Sequence, residues 1–130
     1  MFNKKFTILS AELSTLSGAE NRFRTDELRK LLIRNELDFK RAEGCYKGTT
    51  EVSFVVDTPS VEVFNKLYNA AKNLFDQESV LYVDEDSQAH LMYSKGYEQE
   101  HLGTFTQVNP KRLEELEAYT VVDNTLYAVL

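Results

Sequence analysis

The chain has 130 residues, 42% of them hydrophobic and 28% charged, a formal net charge of −6 and a single cysteine. That length suits one compact domain over residues 1–130 and buries roughly two thirds of the unfolded surface. The acidic balance argues against nucleic acid and towards a small or cationic ligand. Cys45 alone excludes an intramolecular disulfide, and no apolar run approaches the ~20 residues of a membrane span.

The start, Met1-Phe2-Asn3-Lys4-Lys5, lacks the apolar core and cleavage site of a signal peptide, which places the protein in the cytoplasm. Phe6 to Ala11 is apolar on both faces, as a central strand should be. Ser17-Gly18-Ala19-Glu20 has capping-box spacing, and Phe23, Leu28, Leu31 and Leu32 continue a first helix to about Glu36. Asp38 to Lys47 is a polar, edge-like strand that turns at Lys47-Gly48 into a strand from about Thr50. Thr58-Pro59 supplies a cap and a proline to a second helix, whose apolar positions from Phe64 to Phe75 keep helical spacing. Ser79 to Val83 and Ala89 to Tyr93 read as strands joined by a turn at Asp84 to Ser87. The pattern weakens from Leu102 to Val108. Asn109-Pro110 then caps a short helix to about Glu117, and Tyr119 to Val129 forms a hairpin turning at Asp123-Asn124.

The order β-α-β-β-α-β predicts an α+β ferredoxin-like sandwich, an antiparallel sheet with helices on one face. The other face would be bare, with Val55 and either Leu81 and Val83 or Val80 and Tyr82 on it, so several such faces are expected to pack together in an oligomer.

The strand from Glu51 has two different faces: Val52, Phe54 and Val56 on one, Glu51, Ser53, Val55 and Asp57 on the other. A carboxylate and a hydroxyl beside Val55 suit a site or a subunit contact; on these residues alone, a Glu51 that follows a turn and points to water explains the pattern as well. No phosphate loop, nucleophile elbow or zinc-protease motif is present. Cys45 reads as a small core residue, His90 and His101 as ordinary strand and loop residues with no spaced zinc cluster, and Asp84-Glu85-Asp86 as a solvated turn. Asn21 and Arg24 lie one turn apart on the first helix, where surface positions are the ordinary reading.

Taken together, Leu9-Ser10-Ala11, Asn21-x-x-Arg24, Gly44-Cys45-Tyr46, Glu51, Gln77 to Leu81, Ala89-x-Leu91-x-Tyr93-Ser94-Lys95-Gly96 and Leu102 to Val108 resemble the phage S-adenosylmethionine-degrading enzymes, first called hydrolases and now understood as lyases. The resemblance spans about residues 6–108 and is scattered, its order and spacing carrying it. It implies a homotrimer of sandwiches similar to the PII-like superfamily, with active sites between subunits. It also implies cleavage of S-adenosylmethionine to 5′-methylthioadenosine and L-homoserine lactone, in the service of phage counter-defence against host restriction. Only Lys47 to Thr50 separate Tyr46 from Glu51, where family members can place many residues, so this chain departs from the family in that loop.

On this resemblance Glu51 and Tyr46 are the catalytic residues, and Ser10, Asn21, Arg24, Ser53, Gln77 and Ser79 are candidates for substrate contacts. Neither cofactor nor metal is called for, because the sulfonium is already an activated leaving group and the substrate's own carboxylate can attack the carbon beside it. The alternative is a non-catalytic, PII-like trimeric sensor holding an adenine nucleotide, which the expected fold alone permits.

Overall fold

The computed structural model describes residues 5–96 and 98–130; the reading of Met1 to Lys4 lies outside the described residues. The elements are β1 (Phe6–Ser10), α1 (Gly18–Arg34), β2 (Phe39–Tyr46), β3 (Thr49–Asp57), α2 (Val61–Asn73), β4 (Ser79–Val83), β5 (Gln88–Tyr93), β6 (Gln99–Gln107), a 3-10 helix (Pro110–Glu115), β7 (Ala118–Val122) and β8 (Thr125–Val129). All pairings are antiparallel, and the order β1-β3-β2-β7-β8-β6-β5-β4 returns through β4 to β1.

The ferredoxin-like, PII-like sandwich is therefore overturned: the eight strands close into a barrel. The β-α-β-β-α-β element order is present, with its strands side by side as β4-β1-β3-β2. The face expected to be bare is covered by the chain's own later strands. Val55, Phe6, Ile8, Ala42 and Val83 pack inside the barrel against Phe105, Val122 and Tyr127. Eight strands enclose a space that side chains can fill, so Val55 needs no second copy to bury it. β2 is not an edge either, since β7 pairs with it from Glu43↔Val121 to Tyr46↔Ala118. The PII-like fold on which the sensor alternative relied goes with the sandwich.

The two helices cover the outer surface of β1, β3 and β4, where Leu9, Phe54, Val56 and Val80 pack against Leu28, Leu32, Leu67 and Ala71. The Ser17–Glu20 capping box starts α1 as the sequence predicts. The cap of α2 is Ser60 rather than Thr58. Thr58 is buried, donates to the Val56 carbonyl at 2.8 Å and lies 2.8 Å from the Thr7 hydroxyl, so it cannot also serve the helix.

Two hairpins need left-handed backbone and have it: Lys47-Gly48 with φ of 50° and 83°, and Asp123-Asn124 with φ of 50° and 61°. Closure depends on β6, whose register with β5 shifts between Ala89 and His90. Gly103 there has φ 138°, and a Cβ on it would lie 2.6 Å from the Leu130 carbonyl oxygen, so only glycine lets β6 approach the end of β8.

Candidate active site

Inward-facing positions are apolar through most of the barrel and turn polar at one end. On β1 the series Phe6, Ile8 ends at Ser10, and on β3 Val55 is followed towards the strand's start by Ser53 and Glu51. The register carries this end around the barrel. Ser10 lies opposite Ser53, Gly44 opposite Glu51, Tyr46 opposite Thr49, and Ser79 opposite Tyr93. Glu51, Tyr46, Ser10, Ser53 and Ser79 thus share one face and one end of the barrel.

Glu51 is open to solvent as a residue, yet its carboxyl sits among enough protein that burial pushes its pKa above the ordinary 4.5, with the Glu12 carboxylate adding repulsion. Beneath it, the Ser53 hydroxyl is buried and has no hydrogen-bond partner among the described residues. Gly44 contributes no side chain above it, and a Cβ there would lie 4.0 Å from Ser53 Oγ. An unmade hydrogen bond on a buried hydroxyl costs about 1–3 kcal/mol, so this one is suited to receive a ligand atom. Tyr46 is 59% exposed at the rim, with the Lys47 ammonium 5.2 Å from its ring centre and 3.4 Å from the Glu117 carboxylate.

The remaining predicted residues gather around the segment that follows β1. Ser10 Oγ donates to the Val52 carbonyl at 2.8 Å and accepts from the Glu12 amide at 3.1 Å. Asn21 bonds both the amide and the carbonyl of Leu13 at 2.9 Å. Arg24 donates from Nε to the Ala11 carbonyl at 2.7 Å and from Nη2 to that of Phe75. Gln77 donates to the carbonyls of Glu12 at 3.0 Å and Phe75 at 3.1 Å. Asn21, Arg24 and Gln77 therefore spend these polar groups on backbone and fix residues 11–13 outside the barrel. The outcome is the placement of Glu12, whose Oε2 accepts the Val52 amide at 2.7 Å.

Sequence reasoning did not assign Glu12, Tyr93 or Glu100 to the site. Tyr93 faces inward opposite Ser79, and its hydroxyl donates to Glu100 at 3.1 Å. The Glu100 carboxylate pushes the Tyr93 phenol up, and Tyr46 is among the groups acting on it, as expected of two phenols at one opening. The two-residue alternation from Ala89 already put Tyr93 on the face of Leu91. Glu12 carried no such signal, because its position depends on contacts with α1 and Gln77.

No helix among the described residues is long and apolar enough to cross a membrane. No curated protein matches the chain. The S-Adenosylmethionine lyase family model matches residues 7–130, which include every strand but the first residue of β1, both helices and all the side chains at the polar end. The chain belongs to the S-adenosylmethionine lyase family.

Proposed function

We propose that the polar end of the barrel binds S-adenosylmethionine and cleaves it to 5′-methylthioadenosine and L-homoserine lactone. The observation that carries this reading is the convergence of Glu51, Tyr46 and the unpartnered Ser53 hydroxyl on one inward-facing surface, in a chain of this family.

In the reaction the substrate carboxylate attacks the carbon next to sulfur, a five-membered lactone closes, and the C–S pair leaves on sulfur as the neutral thioether. The carboxylate and sulfonium charges are both lost on the way. A protein anion held against the sulfonium would therefore favour the ground state and slow the step. Glu51 is accordingly assigned to the substrate's α-ammonium, a charge that persists throughout and whose capture folds the tail for attack. Good intramolecular geometry reaches effective molarities of roughly 10⁵ M, so positioning can supply several kcal/mol. The raised pKa of Glu51, caused first by burial and then by the Glu12 carboxylate, supports the assignment, because an arriving cation offsets both. Tyr46 walls the pocket and hydrogen-bonds the substrate, and Ser53 and Ser79 supply hydroxyls to the tail or the adenosine. Ser10, Asn21, Arg24 and Gln77 act one step back, through the segment that carries Glu12.

The test is incubation with S-adenosylmethionine followed by chromatography, with methylthioadenosine expected and unchanged substrate counting against the reading. In oxygen-18-labelled water the lactone should form unlabelled before any homoserine appears; labelled homoserine that precedes lactone would establish direct hydrolysis instead. Cells expressing the protein should lose S-adenosylmethionine and with it methylation, as counter-defence by a phage would require. The homotrimer with sites between subunits now rests on the resemblance alone, since the Val55 face is filled, and a monomer mass by light scattering at micromolar concentration would remove it.

A further inference from the structure

The outer surface carries a groove of about 450 Å³ between α1 and the start of the β2–β3 hairpin, with Val52 and Phe54 as its floor. The volume suits a small organic ligand. Its charge is unusual for a chain of net charge −6. Arg22 and Arg29 line it from α1 and Arg41 from β2. Arg29 is engaged by Asp26 at 2.9 Å, and Asp26 is also held by Lys30 at 3.2 Å. Arg22 and Arg41 have no ion pair or hydrogen bond among the described residues, and both are exposed. The opposing charges in the lining are Asp26, held by Arg29 and Lys30, and Glu12, which already accepts the Val52 amide.

A second observation points to a ligand independently. Thr25 lines this groove and is 9% exposed, and its buried hydroxyl has no hydrogen-bond partner among the described residues. A helical threonine ordinarily returns its hydroxyl to the carbonyl one turn back, and an unmade bond at such a site is costly. Two unpaired guanidiniums present planar, forked donors that match an oxyanion, and the hydroxyl and the Glu12 carboxylate provide for neutral polar groups on the same molecule.

We propose that this groove on the outer surface is a binding site for a small phosphate monoester bearing hydroxyl groups, sharing with the barrel end only Glu12, the carboxylate that also acts on Glu51, and Asn21, which fixes its segment. The phosphate lies between Arg22 and Arg41, and the hydroxyls of the carbon skeleton meet Thr25 and Glu12.

Ribose 5-phosphate is the probe, because it lacks the adenine and the ammonium that the barrel end would recognise. Calorimetric titration of the full chain should give a dissociation constant of about 1 mM or tighter. Arg22→Gln and Arg41→Gln remove exposed, unpartnered charges and leave the fold intact; each should weaken binding about tenfold or more, as loss of a charge-assisted contact does. Ribose in place of its phosphate should not bind, and Glu51→Gln should bind as the parent does. Absence of heat at millimolar probe would overturn the proposal, as would equal binding by both arginine variants, loss of binding in Glu51→Gln, or a change of molecular mass in the arginine variants in place of lost binding. None of these outcomes bears on cleavage of S-adenosylmethionine, which is read separately.

Discussion

The two ends of the inward-facing surface are built from the same strands and differ in chemistry. Away from the polar end, Phe6, Val55, Val83, Phe105 and Tyr127 make a filled apolar interior, with Phe105 and Tyr127 stacked at 5.3 Å. One further inward position along β3 the side chain is Ser53, and two further it is Glu51. The proposed site is thus the place where the core stops being apolar, and it would inherit its rigidity from the packed residues beneath. The interior should govern stability and the polar end should govern turnover.

The sharpest test of that division is Glu51→Gln, which keeps the shape and loses the charge. Turnover should fall by about 10²-fold or more, near 2.7 kcal/mol, in an assay of methylthioadenosine release. Stability should move the other way. A carboxyl whose folded-state pKa is raised above its ordinary 4.5 binds its proton more tightly when folded, so its charge costs stability as pH rises past that value. The variant should therefore melt at or above the parent temperature at pH 7, and the two should converge in acid. A drop in melting temperature at pH 7 would break the division.

Gly103→Ala should do the reverse. The left-handed backbone and the 2.6 Å approach to Leu130 leave no room for the methyl, and the loss should be roughly 3 kcal/mol by denaturant titration. The fraction still folded should retain turnover per molecule.

Ser53→Ala removes a buried hydroxyl that has no partner among the described residues, so stability should be unchanged or higher. The specificity constant kcat/KM should drop about tenfold if the hydroxyl meets the substrate, near 1.4 kcal/mol. Smallest of all is Glu12→Gln. The amide keeps an acceptor for the Val52 N–H but no longer repels Glu51, so the pKa of Glu51 falls. The acid limb of the rate profile, on which activity rises as Glu51 ionises, should move to lower pH with little change at the plateau.

The parts of this architecture legible in the sequence are those fixed by neighbours in the chain. The Ser17–Glu20 capping box and the two left-handed turns, Lys47-Gly48 and Asp123-Asn124, are local chemistry and appear where expected. The two-residue alternation from Glu51 to Val55 likewise put a carboxylate, a hydroxyl and a valine on one face. What covers that face was not legible, because the strands that do so come late and the joining strand is irregular. Gly103 and the register shift at Ala89/His90 interrupt the alternation of β6, so residues 102–108 read as a fading pattern when they close the barrel. Asn21, Arg24 and Gln77 stood out in the resemblance, but their grip on the backbone of residues 11–13 needs α1 and the turn after α2 to meet, which no spacing in the chain announces.

The pairing of β2 with β7 joins residues 43–46 to 118–121, and its completion carries a consequence for the order of folding. The local hairpins β2–β3, β4–β5 and β7–β8 can form within short loops, whereas this seam must wait for a long loop to close and gains nothing until it does. Tyr46 stands at the far end of that seam, opposite Ala118. A refolding chain should therefore recover strand signal before it recovers turnover, and the slowest phase of refolding should be the one in which the enzyme becomes active.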